Sequence, residues 1–177
     1  AVRPSRTRTP SVAAVPGPAI GGGLGRALAA DFRVVCEHTR FSANFVRLGV
    51  HAGFGITHVL PRIVGSQNAS LMLYTGRRIG PEAALKMGLA DILTSAERLR
   101  EEAIALAAEI AESAPLAVES TRATLRQGVA DGVARLLERE FAERRRLGAT
   151  DVRGEGVRGG SARGGGRLLR GSGGGGR

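Results

Sequence analysis

Pro18-Ala19-Ile20-Gly21-Gly22-Gly23-Leu24-Gly25 decides how this chain is read. It follows the apolar run Ser11–Val15 (SVAAV), which reads as a buried strand, and it opens into the helix-like segment Leu24–Ala30. A strand, a glycine turn and a helix start in that order point several unpaired backbone N–H groups at one spot, at the positive end of a helix. Such a spot suits a phosphate or an oxygen that gains negative charge during a reaction. A dinucleotide fingerprint would need glycine or alanine where Arg26 stands, and a phosphate-binding P-loop would need the missing Gly-Lys-Ser/Thr. Close packing of helix against strand through the glycines stays open at this point.

On either side of the turn the chain alternates element types. Arg33–Glu37 is expected to be a strand and Arg40–Ser42 a third, because Phe, Val and Cys suit pleated surfaces. Phe45–Phe54 is irregular and glycine-punctuated. Gly55–Ile63 reads as a helix that Pro61 cuts short, and Ser66 as the cap of a separate helix over Asn68–Tyr74 that ends at Gly76. Pro81 starts a further helix, Glu82–Met87, closed by Gly88. Thr94 and Glu97 form a capping-box pattern ahead of Leu99, Ala103, Leu106 and Ile110, which recur along one helical face. Pro115 opens the next helix. Gly128 and Gly132 bracket an expected turn before Val133–Arg146, which carries Leu136, Leu137 and Phe141 among many charges and reads as a surface or subunit-contact helix.

Length and composition set outer limits. A chain of 177 residues can bury one ordinary core. Thirteen of its 27 glycines fall within Gly148–Arg177, where glycine alternates with arginine, and that tail reads as disordered. The net charge of +10 is unevenly spread. Three arginines stand in the first ten residues without an acid, and six stand in the last thirty against Asp151 and Glu155, which leaves only +3 for the body. The basic balance is therefore weak evidence for nucleic-acid binding by the folded part. Arg158-Gly159-Gly160 and Arg163-Gly164-Gly165 resemble RGG-type RNA-binding stretches, but an unstructured extension is the simpler reading. Four regions follow: an Arg/Pro arm over 1–10, an α/β core over 11–93, a helical region over 94–147 and the tail over 148–177. The lone Cys36 excludes an internal disulfide and reads as a buried structural thiol; no metal-ligand spacing is present. Without a membrane-length apolar stretch or a secretory signal, a cytoplasmic protein is expected, and the missing initiator Met suggests a processed or partial chain.

The glycine turn belongs to an ordered series: P-A-I-G-G-G-L, A-x-D-x-R-V, F-S-A-N-F-x-x-L-G-V-x-A-G-F-G, L-P-R-I-V-G, Y-T-G-R-R-I and E-A-x-x-x-G-L-A-D. From about Thr9 to Arg146 this series resembles the crotonase superfamily, the enoyl-CoA hydratases and isomerases. The resemblance implies a ββα-spiral α/β core with C-terminal helices that build trimers or hexamers. It implies an acyl- or enoyl-CoA ligand, with coenzyme A as the substrate's carrier and no separate cofactor. By position, Gly22 is the oxyanion N–H donor, and Ala19, Ile20, Gly21, Gly22, Phe45, Leu48, His51 and Gly53 line the substrate. Family members have a further segment ahead of the Ser11 strand that supplies a second donor and much of the adenine site. This chain therefore resembles the C-terminal portion.

The departures concern acid–base chemistry. The two glutamate positions of the hydratases correspond to Gly25 and Phe45, and an aspartate used by some relatives corresponds to Gly53. No carboxylate stands at any of the three, and positioned acid–base groups typically contribute about 10²–10⁴-fold. Weak or absent hydration is expected, with a non-catalytic acyl-CoA-binding or assembly subunit as the alternative. His51 is the candidate base in the loop facing the acyl group, although a lone loop histidine is more often structural. His58, on the expected helix Gly55–Ile63, reads as a solvated or packing residue. Arg47 is left between meeting an acyl carboxylate and simple solvation.

Overall fold

The structure, a computed structural model, describes residues 7–150. Five short strands and six α-helices follow one another: β1 Val12–Val15, β2 Pro18–Ile20, α1 Gly22–Ala27, β3 Phe32–Cys36, β4 Arg40–Ser42, α2 Ile56–Thr75, α3 Pro81–Lys86, β5 Ile92–Thr94, α4 Leu99–Ala111, α5 Pro115–Leu125 and α6 Val129–Gly148. A 3-10 turn over Asn44–Leu48 sits between β4 and α2. The strands form two parallel sheets, β1-β3-β5 and β2-β4. Consecutive strands go to different sheets: β1 and β2 part at Pro16-Gly17, and β3 and β4 part at the bend before Arg40. Each strand pair then feeds a helix, so the ββα unit repeats and the second copy stacks on the first in parallel register, Val12 opposite Phe32 and Pro18 opposite Arg40. Parallel pairing needs such a crossover.

Burial explains the strand composition. Arg33, Val34, Val35 and Cys36 are all buried, as expected for a strand covered on both faces. The bend after β3 is held by Thr39, whose hydroxyl donates to the Val15 carbonyl at 2.5 Å and accepts from the Cys36 N–H at 3.0 Å. Arg33 sits inside because every part of it is matched. Its Nε donates to the Leu89 carbonyl (2.7 Å), its terminal nitrogens to Ala30 and Asp31 carbonyls, and Asp91 faces it at 3.3 Å. Burial pulls the Arg33 guanidinium below its ordinary pKa, while Asp91 and Asp31 oppose that shift. The main core gathers Leu24, Leu28, Val35, Phe41, Phe45, Ile56, Leu60 and Met72, and a second one places Val34, Cys36 and Leu99 beneath α4. Cys36 is a buried free thiol.

Several local expectations change. Pro61 does not end a helix: α2 runs through it and breaks at Gly65 instead, where φ is 77° and ψ 160°, one residue before Ser66. Burial of Ile56, Leu60 and Val64 along one face, at about 1.5–3 kcal/mol each, outweighs the roughly 3 kcal/mol cost of an interior proline. The Thr94/Glu97 capping box does not form. Thr94 pairs with Cys36 as the end of β5, and α4 starts only at Leu99, with no side-chain cap. Gly132 lies inside α6 rather than in a turn, and it is glycine because a side chain there would overlap the His58 ring of α2. The sequence pattern does not predict the strands β2 and β5, three residues each. Of the expected arm over 1–10, the Thr7 carbonyl accepts from Arg122 and Arg8 pairs with Glu119 at 3.2 Å, so both engage α5. The expected Gly/Arg tail, apart from residues 148–150, lies outside the described residues.

Candidate functional site

The glycine turn places β2 against α1. Gly21 has φ 56° and ψ −112°, a conformation closed to residues with a Cβ, and its N–H donates to the Ser42 carbonyl of β4 at 2.9 Å. The next three amides differ. Among the described residues, no backbone carbonyl accepts from the N–H of Gly22, Gly23 or Leu24, and no side chain caps this end. Gly21 is therefore engaged inside the fold, whereas Gly22 is half-buried with an unengaged donor. Helix α1 is short, so the local N–H groups matter more than its dipole.

The loop over 49–55 closes on this turn. Phe54 holds φ 64°, the left-handed region that costs a side-chain-bearing residue about 1 kcal/mol. Its ring covers α1: a Cβ on Gly22 would stand 2.9 Å from Phe54 Cζ, and one on Gly25 only 2.6 Å from Phe54 Cβ. Phe54 is nevertheless 44% exposed. Phe45, on the 3-10 turn, is buried, with its ring tip 3.7 Å from where a Gly21 Cβ would be.

A third element reaches the same place from far along the chain. The Arg144 guanidinium of α6 lies 5.6 Å from the Phe45 ring centre and 5.8 Å from that of Phe54, and its Nε donates to the His51 carbonyl at 3.3 Å. A side chain at Gly53 would overlap it. One turn earlier, Glu140 is fully buried: its carboxylate accepts from the Gly55 N–H at 3.0 Å and from the Thr57 hydroxyl at 2.9 Å. Glu140 thereby ties α6 to the N-terminal end of α2, where a negative charge suits the helix dipole. Gly53, Phe54, Leu137, Glu140, Phe141 and Arg144 line a cavity of about 230 Å³.

The positions singled out from sequence thus divide. Gly21, Gly22, Phe45, His51 and Gly53 meet around Phe54 and Arg144. Ala19 and Ile20 lie on β2 leading into the turn, Ala19 buried and Ile20 half-buried. Leu48 is 44% exposed at the end of the 3-10 turn. The three empty acid positions are filled by packing: the space at Gly25 is taken by Phe54, the space at Gly53 by Arg144, and Phe45 is itself buried. His51 Nδ1 donates to the adjacent Ala52 carbonyl at 2.7 Å, which leaves Nε2 as the nitrogen with a lone pair. Arg47 donates to the Thr75 carbonyl and is exposed. The residues missed were Glu140 and Arg144. Their signal was an acid and a base continuing the α6 face of Val133 and Leu137 at helical spacing. That face packs on the chain's own α2, so α6 is not only a surface helix, although Phe141 stays 58% exposed.

Two parallel sheets built from repeated ββα units, with a glycine turn presenting an unengaged amide beneath an aromatic loop, define a crotonase-type chain. It belongs to the enoyl-CoA hydratase/isomerase family, whose sequence model matches residues 4–159. It is similar to an enoyl-CoA isomerase/hydratase of Mycosarcoma maydis, 37% identical over 134 residues covering 75% of this chain and 49% of that protein. It is also similar to a probable mitochondrial enoyl-CoA hydratase of Arabidopsis thaliana, 35% identical over 148 residues covering 84% and 49%. The chain spans about half the length of both relatives. Among solved structures, an enoyl-CoA hydratase/isomerase from Pseudoalteromonas atlantica T6c superposes with a TM-score of 0.81 at 28% identity, over 89% of this chain and 64% of that one. Among the described residues no helix is long and apolar enough to cross a membrane.

Proposed function

We propose that the chain binds an acyl- or enoyl-CoA thioester, with the thioester carbonyl oxygen taken by the Gly22 N–H. The observation that carries this reading is the contrast between neighbours: the Gly21 amide is bonded to Ser42, whereas the Gly22 amide has no acceptor among the described residues. A donor fixed before the carbonyl becomes enolate-like is worth about 3–4 kcal/mol in the transition state. The ring of Phe54 must turn aside to admit the carbonyl. Its exposure leaves room for that movement.

Hydration is proposed to be weak in this chain. Gly25, Phe45 and Gly53 offer no carboxylate, and the carboxylate beside them, Glu140, has both oxygens held by Gly55 and Thr57. A second reading, an acyl-CoA-binding or assembly subunit without turnover, is favoured by Phe54 lying over Gly22 and Gly25. Association of copies through the C-terminal helices fits the exposure of Leu116, Leu125 and Phe141. Calorimetry with butyryl-CoA and loss of enoyl absorbance with crotonyl-CoA test the proposal together. Binding with little turnover is the expected result. Rapid hydration would refute the loss of acid–base chemistry, and absence of binding would refute the thioester reading. Light scattering reads the association.

A further inference from the structure

Arg144 is a charged group set against the loop that closes on the glycine turn. Its guanidinium lies between the faces of Phe45 and Phe54, the two rings that also touch the positions of Gly21 and Gly22. A single layer of aromatic side chain therefore separates it from the amide assigned to the thioester carbonyl. Its Nε is used on the His51 carbonyl, and among the described residues Arg144 takes part in no ion pair. The nearby acid on its own face, Glu140, is committed to Gly55 and Thr57 and is wholly buried. The cavity that Arg144 lines beside Gly53, Phe54 and the committed Glu140, about 230 Å³, has apolar walls from Leu137 and Phe141. Rings on two sides leave the guanidinium edge as its polar surface, and that planar edge matches a carboxylate in two-point fashion.

We infer that Arg144 selects CoA thioesters whose short acyl group ends in a carboxylate, of the glutaryl type, over uncharged acyl groups of the same length. The inference rests on the thioester reading and adds the substrate class. The walls would hold the methylene chain while the guanidinium edge takes the terminal oxygens. Arg47 is exposed and turned out to the Thr75 carbonyl, and it does not line this cavity.

The test is calorimetry of the full chain with glutaryl-CoA and valeryl-CoA, which share the CoA moiety and the chain length, so that only the terminal group differs. Glutaryl-CoA should bind at least about tenfold more tightly, the lower range for a charge-assisted pair. In Arg144→Met that ratio should fall to near unity, and in Arg144→Lys it should fall only in part, because the charge stays and the fork is lost. Circular dichroism checks the fold of each variant; if Arg144→Met does not fold, the wild-type ratio and Arg144→Lys decide. Equal or reversed affinities, or a preference that survives Arg144→Met, would overturn the inference and leave the thioester reading intact. Binding of neither thioester would overturn both.

Discussion

Removing the Glu140 carboxylate should loosen α6 from the domain, and the structure sets the size of the effect. Glu140→Ala deletes two hydrogen bonds to a charged acceptor, from the Gly55 N–H at 3.0 Å and the Thr57 hydroxyl at 2.9 Å. Hydrogen bonds of that kind contribute about 1.5–3 kcal/mol each, and the abandoned Gly55 N–H adds a desolvation cost of about 1–3 kcal/mol. Relief from burying a charge, several kcal/mol per ion, works the other way. The net expected loss is about 2–4 kcal/mol. For a chain of this size that corresponds to a fall in Tm of roughly 5–15 °C. Glu140→Gln keeps the shape, and the Thr57 hydroxyl can reverse its role, so its loss should stay near 1 kcal/mol. Denaturant unfolding gives the stabilities, and hydrogen exchange at the Gly55 amide reports the site itself. Glu140→Ala within about 0.5 kcal/mol of the parent, the usual range for an inert surface change, would refute the reasoning. Unchanged protection of Gly55 would refute it equally.

Two further outcomes follow from the packing of glycines against rings. Gly25→Ala should destabilise by about 1–2 kcal/mol despite the usual helix gain of about 1 kcal/mol, because overpacking against Phe54 Cβ dominates. In a Phe54→Gly background, which also relieves the positive φ, the same change should be neutral or stabilising; equal effects in both backgrounds, by chemical denaturation, would sink that account. His58 supplies a pH dependence. Burial first, then the Arg62 and Arg135 charges, push its pKa below the ordinary histidine value, and its Nε2 is buried without a hydrogen-bond partner among the described residues. The folded chain thus binds this proton less readily than the unfolded chain. Its contribution is complete above pH about 6.5 and is lost as pH falls from there toward the depressed value. His58→Gln should flatten the difference in unfolding midpoint between pH 7.5 and pH 5.5, and an unaltered difference would refute this role.

The parts legible in the sequence were those with local causes. The glycine turn at 21–25, the strand run ending at Val15 and the helix closures at Gly76 and Gly88 each follow from a few adjacent residues, and the structure has them. The series of motifs fixed the family because its order carries information that no single motif does. What sequence did not show depends on distance. Glu140 reaches Gly55 across 85 positions, and a buried acid on a helix face looks the same as a solvated one until α2 is docked against it. Arg144 was hidden for the same reason. The strands β2 and β5 are three residues each and owe their form to partners in β4 and β3 rather than to their own propensity. At Pro61 and at Thr94, tertiary burial and strand pairing overrode local rules that hold for isolated segments.

The most direct measurement is a titration of ¹⁵N-labelled protein with butyryl-CoA, following backbone amides by NMR. If the thioester oxygen sits where we propose, the Gly22 amide should move strongly downfield at saturation while Gly21, already bonded to Ser42, moves little. A Gly22 signal that stays in place while the ligand binds elsewhere would contradict the account.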